Sequence, residues 1–189
     1  MKKMLGRNVV MTSGLALALI CASAVANAAS VFLVPTTPYE GARPGDQITF
    51  DVMMDFSTDD NGLGDDVTLD GGFDIAFDST ALEFVSLNDA GLGDPAFSRE
   101  PDVLPGLLQS WVFAEFNGLS GPALVGSVQF RVLATMGATT NVSTQATGGI
   151  GGPFVSGVEF FTLLNVDFNS VELTRTSTPD LIFADGFET

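Results

Sequence analysis

The residues that could do chemistry in this sequence are few in kind. It has no histidine and one cysteine, Cys21, against 23 aspartates and glutamates. Cys21 falls in a stretch that reads as an export signal: Lys2, Lys3 and Arg7, the apolar run Gly14–Val25, then Ala26-Asn27-Ala28 before Ala29. The run is shorter than the ~20 residues a membrane-spanning helix needs. Beyond residue 28 neither cysteine nor lysine remains. Ser-His-Asp triads, Cys-His pairs, Schiff-base lysines and His or Cys zinc sites are therefore excluded. Carboxylates are the acid–base groups left. Twin carboxylates hydrolyse glycosides at a separation of about 5–10 Å. Glu83, Glu115 and Glu159 lie on predicted strands, but no spacing pairs them. Strand glutamates ordinarily face water, so the expectation is a protein that is not an enzyme.

Two binding chemistries remain. Asp55, Asp59, Asp60, Asn61, Asp65, Asp66 and Asp70 gather hard oxygens around a glycine-containing loop, which suits Ca2+ with six to eight oxygen ligands. The EF-hand pattern is not met. With Gly64 sixth, Asp59 and Asn61 fall first and third, but Leu63 is fifth and Asp70 stands where a bidentate Glu belongs. The calcium candidates are Asp59, Asn61, Asp65 and Asp66, against the alternative of a plainly solvated loop. Sugar binding would use an exposed ring, and Trp111 and Tyr39 are the one Trp and one Tyr. Trp111 sits among Val112, Phe113 and Phe116, which favours a core position.

Charge narrows the partners. The full chain carries −16, and loss of Lys2, Lys3 and Arg7 takes it to −19, four arginines against 23 carboxylates. Such a surface repels nucleic acid and anionic lipid, both of which are bound through basic contacts. It suits cations, basic partners or solubility in salt. About 160 residues then form one domain, long enough to bury a core without disulfides.

The elements that would position these residues are strands. Asp46–Phe56 alternates, with Ile48, Phe50, Val52, Met54 and Phe56 on one face and Gln47, Thr49, Asp51, Met53 and Asp55 on the other. Phe73, Ile75 and Phe77 alternate likewise, Asp78-Ser79-Thr80 forms a capped turn, and Leu82–Leu87 follows as a strand. Val31–Thr36, Gln109–Phe116, Val125–Leu133, Thr139–Thr147, Val158–Leu164 and Asp167–Thr174 bring the count to nine. Gln109–Phe116 is apolar on both faces, which predicts a central strand covered on both sides or one lying against a loop. Ser57–Leu69 and Asn88–Leu108 read as long loops, the kind that carry function or move. Short strands with turn signals throughout give an all-β sandwich or barrel.

The order of these signals resembles the cohesin family and related sugar-binding sandwiches. "ARPGDQITFDV" (Ala42–Val52) is similar to its Gly-Asp lead-in to a long alternating strand. "GGFDIAFDSTALEFVSL" (Gly71–Leu87) is similar to its strand–Asp turn–strand block, with Phe77 where a hydroxylated aromatic and then Asp-Pro is usual. "WVFAEFNGLSG" (Trp111–Gly121) and "ALVGSVQFRVLA" (Ala123–Ala134) resemble the segments that follow. The resemblance spans Val31–Thr174 and implies a nine-stranded jelly-roll, immunoglobulin-like β-sandwich. It also implies a protein partner, a dockerin in classical members, held through one sheet face. No partner-contacting residue transfers.

Residues 176–189 read as a linker and a tail, "DLIFADGFET", resembling a short ending seen on exported proteins of Gram-negative bacteria. The expected organisation is a signal peptide over 1–28, a sandwich over 29–175 and a terminal tail. The expected function is a secreted, non-catalytic module, periplasmic, at the cell surface or released, that binds a protein. The alternatives are a carbohydrate-binding module and a structural domain without a dedicated ligand.

Overall fold

The computed structural model describes residues 29–57, 68–157 and 162–176. They form eleven strands: β1 (Ala29–Pro35), β2 (Gln47–Asp55), β3 (Thr68–Phe77), β4 (Leu82–Asp89), β5 (Asp102–Leu104), β6 (Leu107–Leu119), β7 (Ala123–Val132), β8 (Thr139–Ala146), β9 (Val155–Ser156), β10 (Val166–Phe168) and β11 (Ser170–Thr174). Two sheets stack as a sandwich. One runs β10-β1-β2-β7-β4, the other β11-β8-β3-β6-β5, with β9 paired to β3. All described strand pairings are antiparallel except β1 with β10, which is parallel with Ala29 opposite Val166; an isolated bridge between Ala42 and Arg175 is also parallel.

The alternation in β2 works as read: Ile48, Phe50, Val52 and Met54 are sealed from water while Gln47, Thr49, Asp51 and Met53 face out. Phenylalanines join the layers. Phe130 of β7 meets Phe50 at 6.2 Å, Phe77 at 4.9 Å and Phe84 at 6.2 Å between ring centroids. A second cluster sets Trp111 of β6 on Phe73 of β3, stacked at 5.6 Å. The far edge of the indole reaches the opposite sheet at Gly126, where a Cβ would stand 2.9 Å from it, so only glycine fits there. The Asp78 turn is capped as predicted: its carboxylate accepts from the backbone N–H and hydroxyl of Thr80 at 2.8 and 2.7 Å. Those bonds hold the Asp78 carboxyl below its ordinary value of 3.8.

Three expectations are revised. Asn88–Leu108 is not one loop: β4 runs on to Asp89, Arg99 bridges Val112, and β5 forms an edge strand beside β6. Asp167–Thr174 is two strands in different sheets, separated by Asn169. The expected strand Val158–Leu164 is described only from residue 162, where Leu163 bridges Val155. The signal peptide, most of the Ser57–Leu69 loop and the tail fall outside the described residues.

Asn169 joins the sheets on one side of the sandwich. Its side-chain carbonyl accepts from Leu33 N–H at 2.9 Å and its amide donates to Leu33 C=O at 3.2 Å, so it stands in for a strand neighbour of β1. Its backbone bonds to Thr144 of β8, receiving Thr144 N–H at 2.9 Å and donating to the Thr144 hydroxyl at 3.0 Å. That hydroxyl donates in turn to Val31 C=O at 2.8 Å. The opposite side, between edge strands β4 and β5, has no such stitch among the described residues and opens as a groove of about 590 Å3.

Candidate functional site

The outer face of the β3–β6 sheet gathers the most unusual geometry. Asp74 points away from the core yet is 2 % exposed. It accepts from Ser110 N–H at 2.8 Å and from Gly148 N–H at 3.3 Å. Ser110 adopts φ 61°, the left-handed region, at a bulge where β6 slips register against β3 between Phe73 and Ile75. Its hydroxyl contacts the Thr147 hydroxyl at 3.3 Å and receives Ile150 N–H at 3.0 Å.

Asp74, Ser110 and Thr147 thereby pin residues 147–152 down as a strap across the sheet. Gly151 packs so closely on Gly72 that a Cβ on Gly72 would lie 3.1 Å from the Gly151 Cα. Ile150 rides on top, 65 % exposed. The run Gly148–Pro153 breaks the strand pattern in the sequence. Its landing on β3 and β6 explains why Gln109–Phe116 is apolar on both faces, one against the core and one beneath a loop.

Beyond the strap, toward the end of β6, stand two exposed phenylalanines. Phe97 is 58 % and Phe116 63 % exposed, packed edge to face at 5.1 Å and 86°. The segment carrying Phe97 is fixed to β6 by Asp94 N–H to Ala114 C=O at 2.7 Å and by reciprocal Arg99–Val112 backbone bonds at 2.9 Å. The rings are thus held out on rigid backbone. Asp94, Glu100 and Glu115 neighbour them in sequence, and Arg99 pairs with Asp102 at 2.5 Å. Exposed aromatic pairs on fixed backbone are the kind of anchor that dominates protein interfaces. The signal in the sequence was the Asn88–Leu108 stretch itself, expected to be functional, with Phe97 among its glycines and prolines.

Of the sequence-predicted ligands, Trp111 and Tyr39 lie among the described residues. Trp111 is 2 % exposed and belongs to the core, so in this structure it offers no ring face to a sugar; the reason is its seat between Phe73 and Gly126. Tyr39 lies on the β1–β2 connection, half-buried against the core. Asp59, Asn61, Asp65 and Asp66 lie outside the described residues. Of the loop's flanks, Asp55 accepts from Ser57 and Asp70 has its carboxyl raised above 3.8 by loss of water contact. Among the described residues no cluster of three or more metal-ligating side chains occurs.

No protein-family model matches this chain, and no curated protein sequence does. Solved structures do match. The seventh ScaB type I cohesin from Pseudobacteroides cellulosolvens covers 81% of this chain and 95% of its own at TM-score 0.59 and 14% identity. The sixth cohesin of scaffoldin B from Acetivibrio cellulolyticus, solved with a Cel5 dockerin, covers 77% and 98% at 0.52 and 15%. A non-cellulosomal cohesin from the archaeon Archaeoglobus fulgidus covers 74% and 85% at 0.51 and 15%. At such identities the likeness is one of fold, and the fold is that of the cohesins.

Proposed function

We propose that this cohesin-fold chain is an exported, non-catalytic recognition module that docks a protein partner through the end of β6 and the 94–99 segment bonded to it. The observation that carries the reading is the Phe97–Phe116 pair, more than half exposed and held on paired backbone. Two phenylalanines left in water cost free energy that a partner's apolar pocket would recover, at about 25 cal/mol per Å2 of apolar surface covered. The carboxylates beside them in sequence suit a partner with a basic rim, and cohesins with bound dockerins supply the precedent in this fold. A dockerin-like domain or another secreted protein fits. Histidine is absent and the stretch before Ala29 reads as a signal peptide, in keeping with an exported module without catalysis.

The test is affinity capture from the source's exported proteins with wild type and with the Phe97→Ser/Phe116→Ser double variant. One dominant protein retained by the wild type and lost by the variant, at unchanged melting temperature, supports the reading. Undiminished capture by the variant overturns this site. Retardation of the wild type by a neutral polysaccharide in affinity electrophoresis, abolished in the variant, moves the ligand class to carbohydrate.

A further inference from the structure

The far end of β6 carries a dipeptide with reactivity of its own, Asn117-Gly118. Register with β3 breaks there: Ala114 pairs with Asp70 and Leu119 with Thr68, so residues 115–118 stand opposite Leu69 alone. Asn117 is exposed, and Gly118 adopts φ 78°, open to glycine and strained for other residues. The Glu115 side chain closes a clamp over this bulge. Its Oε1 accepts from the Asn117 side-chain amide at 3.0 Å and from the Asn117 N–H at 3.1 Å, so the clamp spans Phe116. We propose that Asn117 is a self-modification site, converting to aspartate and isoaspartate by attack of the Gly118 peptide nitrogen, and that the conversion opens the clamp.

The step needs no co-reactant beyond water. The Gly118 backbone nitrogen gives its proton to solvent and bonds to the Asn117 Cγ. The Cγ–Nδ2 bond breaks, and the amide leaves as ammonia with a proton taken from solvent. Water then opens the resulting succinimide ring at either carbonyl, giving aspartate or isoaspartate, so that water is consumed and ammonia released. A side chain at 118 would crowd the nitrogen, and a regular ladder would hold it away from Cγ. Glycine in a bulge meets neither obstacle. The other asparagines among the described residues do not precede glycine: Asn88 precedes Asp89, Asn141 Val142, Asn165 Val166 and Asn169 Ser170.

Conversion reverses the sense of the clamp. Where the Asn117 amide donates to Glu115 Oε1 at 3.0 Å, aspartate presents a carboxylate oxygen, and a hydrogen bond becomes a like-charge contact. Isoaspartate in addition lengthens the backbone by a methylene between residues 117 and 118. Phe116 lies within the clamp and packs on Phe97, so its ring loses the fixed backbone on one side. The effect on a partner rests on the docking role proposed for that ring; the modification itself does not.

The experiment incubates the full chain at neutral pH and in mild alkali, where the peptide nitrogen is the better nucleophile, and maps products by mass spectrometry with isoaspartyl-methyltransferase labelling. Asn117 should convert about tenfold faster than Asn88, Asn141, Asn165 or Asn169, and Gly118→Ala should slow it by a similar factor. Cleavage at the arginines puts Asn61-Gly62, outside the described residues, on a different peptide. Asn117 intact in the folded chain while it converts in urea overturns the proposal, as does an undiminished rate in Gly118→Ala. Asn117→Asp, the product itself, keeps the test open if Gly118→Ala fails to fold. Amide hydrogen exchange over residues 115–119 should quicken in Asn117→Asp and slow again in Glu115→Gln/Asn117→Asp, whose glutamine amide donates to the new carboxylate. Exchange unchanged in Asn117→Asp overturns the proposal. Partner capture enters none of these readouts, so failure of the docking reading and failure of this one are separate results.

Discussion

The two long sides of this sandwich solve the same problem in opposite ways. Where β1 and β8 face each other, the chain itself crosses between sheets at Asn169, and a relay through Thr144 ties both layers. Where β4 and β5 face each other, the layers end in apolar side chains and a short strand, and the seam is left open. Polar closure demands that every partner be present, since a buried group left unpaired costs more than the bond was worth. Apolar edges demand only a cover. The first side is therefore brittle to single substitutions and the second is tolerant of them but receptive to ligands.

Breaking the closed side should give the largest effect. Asn169→Leu removes both bonds to Leu33 while keeping the bulk, and should lower stability by about 2–4 kcal/mol, read as a lower urea midpoint at unchanged m-value. Thr144→Val should lose about 1–3 kcal/mol, and the double variant should lose less than the sum because the two share one relay. Additive losses would mean that Asn169 and Thr144 act separately. The same side holds a flaw that sharpens the contrast: the Thr140 hydroxyl is buried without a hydrogen-bond partner among the described residues. Thr140→Val should raise the urea midpoint, by about 1 kcal/mol in stability.

The smallest effects lie in the titration of two carboxylates, Asp78 on its turn and Asp70 on β3. Asp78 is held below 3.8 by Thr80, so the stability it adds is present above 3.8 and is lost as pH falls through its folded-state value. Asp70, raised by loss of water contact, runs the other way: its folded form favours the proton, and stability is lost as pH rises through its folded-state value. Carboxyl chemical shifts should place the Asp78 midpoint below 3.8 and the Asp70 midpoint above it. In Thr80→Val the Asp78 midpoint should move back toward 3.8.

Most of the layered fold was legible because alternation records burial directly. Ile48 to Met54 in β2, and Val128, Phe130 and Val132 in β7, point inward as their spacing requires. The crossing at Asn169 was readable only as a phase shift, Asn169-Ser170 separating Phe168 from Val171 and Leu173 on the opposite parity, and nothing in the stretch says that its halves pair with different strands. β5 was hidden by length: three residues between Pro101 and Pro105 carry no period. The strap was visible as glycine and invisible as contact, because Asp74 and Ser110 lie far from it in sequence. The exposure of Phe97 and Phe116 was not legible, since phenylalanine lies inside by default. Trp111 shows the default working, and the contrast between these rings is what marks the exposed pair.

The parallel pairing of β1 with β10 has a consequence for the order of events in making this molecule. The first described strand finds one of its two neighbours only near residue 166, so that contact forms late and across almost the whole chain. A polypeptide still emerging from a ribosome, or threading through a membrane pore, has its opening strand waiting for its closing one. Such a protein completes itself all at once or not at all, and a nascent chain halted at residue 160 would leave its first strand with one flank bare.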